Sequence, residues 1–282
     1  MLLILLFVIG LAIGSFLNVL IDRLPKEQSI FGRSHCDYCK KTLSPIDLIP
    51  VASFLILGGK CRRCKKKLSW QYPLIEILTG LTFVLVWVYI PTNGVILSVA
   101  KNLWQMPVIF PHAWEILRFT QDDILRIFYL GLFSCFIAIF VADWKYQIIP
   151  DELQIATFIL TLGILGLSGQ LVSFGQIIEQ IIAGVGVMSP ILGLYLITRG
   201  RGMGFADVKF AFIMGILLGL IGGIIALMIG FIIGGFVGFF LIVFGKKKMK
   251  SKIAFGPFLI VGLVISLFFH QAIVSLFASL YL

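Results

Sequence analysis

The sequence predicts an all-α polytopic membrane protein with about eight transmembrane helices and a small polar insertion between the first two. Three observations carry that prediction. Of the 282 residues, 60% are hydrophobic and only 13% charged, and the mean hydropathy is +1.07, more apolar surface than a soluble core can enclose. The apolar residues form long continuous runs without the period-two alternation of a membrane barrel, so backbone hydrogen bonds must close within helices. The charged residues cluster between the runs.

The first run covers residues 2–20. No basic residue precedes it and no small-residue cleavage pattern follows, so it reads as a retained helix rather than a signal peptide. Further runs lie at 73–91, 124–142, 150–168, 177–197, 208–224, 226–244 and 253–280, all but the short 208–224 long enough to cross a bilayer with modest tilt. The implied division is a first helix over 1–21, an inserted domain over 22–72, and a membrane domain over 73–282 with an external loop at 92–123. That loop contains Pro107, Pro111 and Trp114, which suit amphipathic packing at the membrane surface. His112 and Glu115 within it have helical metal-binding spacing, but two isolated ligands make a weak site. The frequent glycines, Gly215, Gly219, Gly222, Gly223, Gly230, Gly234 and Gly235 among them, read as close helix packing.

Lys and Arg between membrane helices favour the cytoplasmic side. With the N-terminus outside, segments 21–72, 143–149, 198–209 and 245–252 lie inside and hold 20 of the 23 Lys and Arg residues. The net charge of +10 is therefore mainly a topology signal. Arg62, Arg63, Lys65, Lys66 and Lys67, and the run from Lys246 to Lys250, suit anionic lipid headgroups better than nucleic acid.

Within the insertion, Cys36 and Cys39 form one CxxC pair and Cys61 and Cys64 another, 21 residues apart. That is zinc-ribbon spacing, two short turns each offering two thiolates to a tetrahedral ion. Disulfides are disfavoured on the reducing side of the membrane. Four sulfur ligands leave no open coordination position, so the zinc is expected to be structural and to fold a module short of apolar residues. His35, beside Cys36, is surplus to this set.

Asp143 ends one apolar run, and Asp207 opens another two helices later, so both fall at the same inner membrane boundary. Two carboxylates brought together at partial burial share a proton, allowing one to activate water while the other protonates a carbonyl or leaving amine. The alternative is that each caps a helix or marks the interface. Asp151, after Pro150, reads as a start-of-helix residue.

Several segments, taken in order, resemble the bacterial prepilin peptidases over nearly the whole chain except 92–123. They are Gly14-Ser15-Phe16-Leu17-Asn18-Val19 with Arg23-Leu24-Pro25, Cys36 to Cys39, Asp47-Leu48-Ile49-Pro50-Val51, Gly59-Lys60-Cys61, Tyr72-Pro73-Leu74-Ile75-Glu76, Ile149-Pro150-Asp151 and Phe255-Gly256-Pro257-Phe258. The resemblance implies an inner-membrane aspartic peptidase, acting at the cytosolic face, that cuts after a glycine ending the short basic leader of type IV prepilins or pseudopilins. It also implies N-methylation of the new N-terminus with S-adenosylmethionine.

By motif position the proteolytic pair is Asp143 and Asp207, with one departure from the usual Gly-x-Gly before the second aspartate: Ala206 stands in Gly204-Phe205-Ala206-Asp207. Gly59 and Lys60 match positions associated with methylation, and a lysine there could engage the cofactor carboxylate. Glu76, just inside the second helix, is a candidate ligand for the cofactor's cationic amine or sulfonium, the alternative being a partner for Arg23 or another basic residue. Two other readings stay open: a peptidase without methylation, and a proton-coupled transporter or scaffold whose zinc module docks a partner.

Overall fold

In the computed structural model the described residues are 1–36, 38–90, 113–200, 202–244 and 254–281. Expectations for most of the loop 92–123, including His112, and for the basic run from Lys246 to Lys250 fall outside them, as does any side-chain statement for Glu115. The described chain is almost wholly helical. We number its helices α1 (Leu2–Arg23), α2 (Ala52–Ile56), α3 (Gln71–Tyr89), α4 (Ala113–Tyr146), α5 (Asp151–Leu167), α6 (Phe174–Thr198), α7 (Phe205–Val243) and α8 (Gly256–Tyr281).

Among the described residues, five stretches are long and apolar enough to cross a membrane: Leu2–Lys26, Gln71–Tyr89, Asp122–Tyr146, Phe174–Thr198 and Phe205–Leu241. Helices α5 and α8 coincide with two further expected runs. The runs expected at 208–224 and 226–244 form the single element α7, interrupted at Gly219 rather than near 225. Gly219 has φ 73 and ψ 177, a conformation glycine adopts without a Cβ clash. A Cβ there would meet nothing, so this glycine serves the bend and not the close packing expected of it; Gly235 is equally open.

Two compact units divide the chain, and their bounds are Met1–Pro91 with Arg126–Ala138, and Thr92–Leu125 with Ile139–Leu282. In the first, α1 buries Leu6, Gly10, Gly14, Leu17, Asn18 and Ile21, a seam at three- and four-residue spacing. The seam lies against α3 at backbone contact: a Cβ on Gly10 would stand 2.7 Å from the Gly80 Cα, and one on Gly14 2.7 Å from the Glu76 Cα. Small residues at four-residue spacing let membrane helices approach this closely. Outward residues such as Ile4, Val8, Leu81 and Leu85 are exposed and apolar, as a lipid-facing surface requires.

In the second unit, α6 packs on α7 and α7 on α8. A Cβ on Gly215 would reach the Ala183 carbonyl at 2.5 Å, and one on Gly230 the Phe258 carbonyl at 3.0 Å. Gly262 likewise abuts the Ala226 carbonyl. Close helix packing therefore accounts for Gly215 and Gly230 as the sequence predicts.

Candidate functional site

The two CxxC turns of the insertion are built alike. Lys40 N–H donates to Cys36 O at 2.8 Å and Cys36 N–H to Lys41 O at 3.0 Å; Lys65 N–H donates to Cys61 O at 3.0 Å and Cys61 N–H to Lys66 O at 2.9 Å. Lys40 and Lys65 both adopt positive φ, 55° and 58°. Bridges His35–Thr42 and Lys60–Lys67 close the two hairpins.

The four cysteine Sγ atoms lie within 4.8 Å of one another, with Cys36 Sγ to Cys64 Sγ at 3.9 Å. A tetrahedron of sulfurs bonded at about 2.3 Å has edges of about 3.8 Å, so the cluster fits one tetrahedral metal ion. Backbone N–H groups, first that of Cys64 and then that of Arg63, draw the Cys61 thiol down to about 7, whereas at Cys64 the Lys66 N–H is outweighed by burial and the neighbouring cysteines, which push that thiol up to about 11. His35 is not part of the cluster.

The rest of the insertion is tied by local polar contacts. Asp47 accepts from the Ser44 hydroxyl at 2.7 Å and from Arg62 Nε at 2.7 Å. The Ser44 hydroxyl above all, with Arg62 also contributing, holds its carboxyl below the usual carboxylate range. The Arg23 guanidinium donates to the carbonyls of Ser29 and Ile30 at 3.2 Å and of Arg33 at 3.3 Å. It is therefore not the partner of Glu76.

Glu76 is 7% exposed and accepts at Oε2 from the Val51 N–H at 2.7 Å; the Ser15 hydroxyl donates to it as well. Val51 has φ 58 and ψ −50, uncommon for a β-branched residue, and the Glu76 bond anchors it there. A cavity with about 1200 Å³ of atom-free space, mouth included, opens between α1, α3 and the cysteine module. Glu76, Asn18, Asp22 and Phe54 line it; Gly59 and Lys60 do not.

Gly59 instead stands behind the cavity wall. Its φ is +66°, and a Cβ would lie 3.0 Å from the Phe54 ring. Its carbonyl accepts from the Leu68 N–H at 2.8 Å. Lys60 is exposed and belongs to the second cysteine hairpin.

In the second unit, Asp143 and Asp207 are both buried, 5% and 8% exposed. Asp143 sits in the last turn of α4 and accepts at Oδ2 from the Gly256 N–H, the first residue of α8, at 2.9 Å. A helix N-terminus stabilises an anion through such free N–H groups. Asp207 accepts at Oδ2 from the Gly204 N–H at 3.1 Å, three residues earlier, capping its own helix. The charge of Asp143 is felt at Asp207. In both residues the backbone bond engages Oδ2.

Ala206 lies in the first turn of α7, outside the positive-φ region, so the position has no need of glycine for its backbone. Its carbonyl accepts from Gln154 Nε2 at 3.3 Å. Asp151 opens α5 and pairs with Lys209 at 2.8 Å on the surface, as expected of a start-of-helix residue. Gly256 and Asn18 fall inside motifs visible in the sequence, but no local pattern there marks them as partners of a carboxylate or of a cavity.

Comparison with known proteins gives a consistent neighbourhood. Residues 8–90 match the Bacterial Peptidase A24 N-terminal domain, and residues 130–239 match the Type IV leader peptidase family. The chain is 36% identical over 132 residues to the Type 4 prepilin-like proteins leader peptide-processing enzyme of Escherichia coli, covering 40% of this chain and 46% of that protein. It is 51% identical over 79 residues to the prepilin leader peptidase/N-methyltransferase of Myxococcus xanthus, covering 28% of this chain and 24% of that one. These two alignments thus span less than half of each relative. With the prepilin leader peptidase/N-methyltransferase of Bacillus subtilis the identity is 26% over 276 residues, covering 98% of this chain and 97% of the relative. No solved structure matches.

Proposed function

Since the chain belongs to the type IV leader peptidase family, we propose that it is a membrane aspartic peptidase that removes the leader from type IV prepilins or pseudopilins and then N-methylates the exposed terminus. The observation that carries the peptidase reading is the pair of buried carboxylates, Asp143 and Asp207, each held by one backbone N–H and coupled by charge. Two buried carboxylates whose charges interact do not both ionise readily, so the pair would retain one proton. The ionised member takes a proton from water, whose oxygen attacks the scissile carbonyl. The protonated member supplies the carbonyl oxygen with a proton, and the leaving amine is protonated as the bond breaks.

The distribution of Lys and Arg supports an N-terminus outside, with the cysteine module and both aspartates at the cytosolic face of a bacterial inner membrane. The four thiolates of Cys36, Cys39, Cys61 and Cys64 would hold zinc as a closed structural centre. S-adenosylmethionine would supply the methyl group. Glu76 faces the cavity that would receive it, while Gly59 and Lys60 shape the hairpin behind that cavity. Both the basic leader and the basic face of this protein would gather on anionic lipid, and the substrate's apolar helix would then bring the cleavage site to the aspartates.

The test is cleavage of a prepilin by purified protein carrying Asp143→Asn or Asp207→Asn, followed by mass analysis of the mature terminus. Retained cleavage in either variant removes the dyad. A mature terminus lacking one methyl mass leaves a peptidase alone.

A further inference from the structure

The stretch from Pro45 to Leu57 is apolar although it lies in the polar insertion, and Asp47 is its one charged residue. A segment that faces water turns its charge outward and its apolar groups in. Here the order is reversed. The Asp47 side chain is 10% exposed and paired with Arg62 at 2.7 Å. Ile46, Leu55 and Ile56 are 61%, 64% and 81% exposed, and Ile49 is exposed as well.

One hydrogen bond sets the depth of this stretch. The Val51 N–H donates to the Glu76 carboxylate at 2.7 Å, and Glu76 lies five residues beyond Gln71, where the membrane-length helix α3 begins. Five residues are about 7.5 Å of helix axis. The backbone entering α2 is thus held by a side chain rooted more than a full turn inside α3, at the edge of the bilayer and not in the water beyond it.

Phe54, the buried residue of α2, packs edge-on against the Trp70 ring with 4.8 Å between centroids. Trp70 directly precedes α3 and is itself exposed, as suits a membrane interface. From it Leu74, Leu81 and Leu85 continue along α3 at four- and seven-residue spacings, all exposed. Through Trp70 the apolar surface of α2 therefore joins the lipid-facing row of α3. At the other end of α2, the Lys60 N–H donates to the Leu57 carbonyl at 3.3 Å and the Leu68 N–H to the Gly59 carbonyl at 2.8 Å. These bonds fasten α2 to the second cysteine hairpin, which carries the exposed Lys65, Lys66 and Lys67. An apolar face beside a cluster of cations is the pattern of an interfacial anchor, in which acyl chains cover the one and anionic headgroups meet the other.

We propose that residues 45–57 form a membrane anchor, with Ile46, Ile49, Leu55 and Ile56 sunk among the acyl chains of the leaflet that borders the cysteine module and Lys65, Lys66 and Lys67 on its anionic headgroups. The occupant is lipid, because the patch runs into a lipid-facing helix and the charge beside it is positive. The module is then inserted in the edge of the bilayer, not suspended over it. The headgroup contact rests on the basic-face reading above; the insertion does not.

The experiment uses the full-length protein in nanodiscs of phosphatidylcholine with phosphatidylglycerol. The photoreactive residue p-benzoylphenylalanine replaces Leu55 or Ile56 in separate samples. Leu81 on the lipid-facing row and Lys41 on the first cysteine hairpin are the reference positions. After irradiation, intact mass reports phospholipid adducts, and bound zinc establishes that the module is folded. Leu55 and Ile56 should give adducts as abundant as Leu81, and Lys41 none. Lys65→Gln, Lys66→Gln and Lys67→Gln together should lower the Ile56 yield severalfold in these nanodiscs and leave it unchanged in pure phosphatidylcholine.

Adducts at Leu81 with none at Leu55 or Ile56 would overturn the anchor. Equal adducts at Lys41 would mean that the whole module lies against lipid, and the assignment to this stretch falls. Crosslinking of Ile56 to an added prepilin at the expense of lipid would make the patch a peptide-docking surface and overturn the proposal too. An unchanged yield in the lysine variant removes the hairpin from the anchor, together with the support it lends the basic-face reading.

Discussion

The Gly256 N–H donates to Asp143 Oδ2 at 2.9 Å, joining residues 113 positions apart, and a Cβ on Gly256 would stand 2.7 Å from that same oxygen. The glycine thus holds the carboxylate by its N–H and admits it by lacking a side chain. Gly256→Ala should displace Asp143 and lower kcat/KM for cleavage by about 10- to 100-fold, the worth of a hydrogen bond to a charged group at about 1.5–3 kcal/mol. A shifted pH profile with KM unchanged would identify a positioning role; an unaltered profile and rate would refute it.

Replacing either aspartate by asparagine should cost about 10²- to 10⁴-fold in cleavage, the usual worth of a positioned acid or base. The two losses should not multiply in the double variant, because the pair acts as one unit. Single-turnover cleavage of a prepilin in detergent measures all three.

Ala206→Gly should bring no gain in cleavage. Ala206 is already helical and its carbonyl is bonded to Gln154, so glycine would only loosen the first turn of α7, at about 1 kcal/mol or less. Thermal unfolding and a cleavage assay on the same sample check both halves of the statement.

Metal retention should fall with acid. The Cys61 thiol is drawn down to about 7 while the Cys64 thiol is pushed up to about 11, so the opposite shifts offset and the pH dependence comes from protons competing with the metal for the four thiolates. Bound metal favours the thiolate form and moves release to lower pH. Zinc content after dialysis from about pH 8 down to about pH 4 should fall toward the acid end, and Cys61→Ser should retain less metal than the unaltered protein at every pH.

Gly59→Ala should destabilise the module by about 1–2 kcal/mol, the cost of a left-handed backbone for an L-residue, and should abolish methylation while zinc remains bound. Mass analysis of the mature terminus beside zinc content separates the two effects.

Much of this protein is legible without its structure. The runs of apolar residues dictate membrane helices because nothing else satisfies backbone groups in lipid. The two CxxC pairs announce a metal site because each turn is local, four residues making half the coordination sphere. The spacing of the apolar runs even sets Asp143 and Asp207 at helix ends, where the structure has them.

What only the tertiary structure decided are the contacts between side chains far apart in sequence. That Gly256 serves Asp143, that Glu76 holds Val51 and not Arg23, that Asn18 turns an unpartnered oxygen into a cavity, and that Gly59 backs its wall all depend on how helices and hairpins pack. Helix packing is set by shape at close approach, as where Gly10 and Gly14 admit α3. Periodicity along one strand of text carries the face a helix presents, but not the residue it meets.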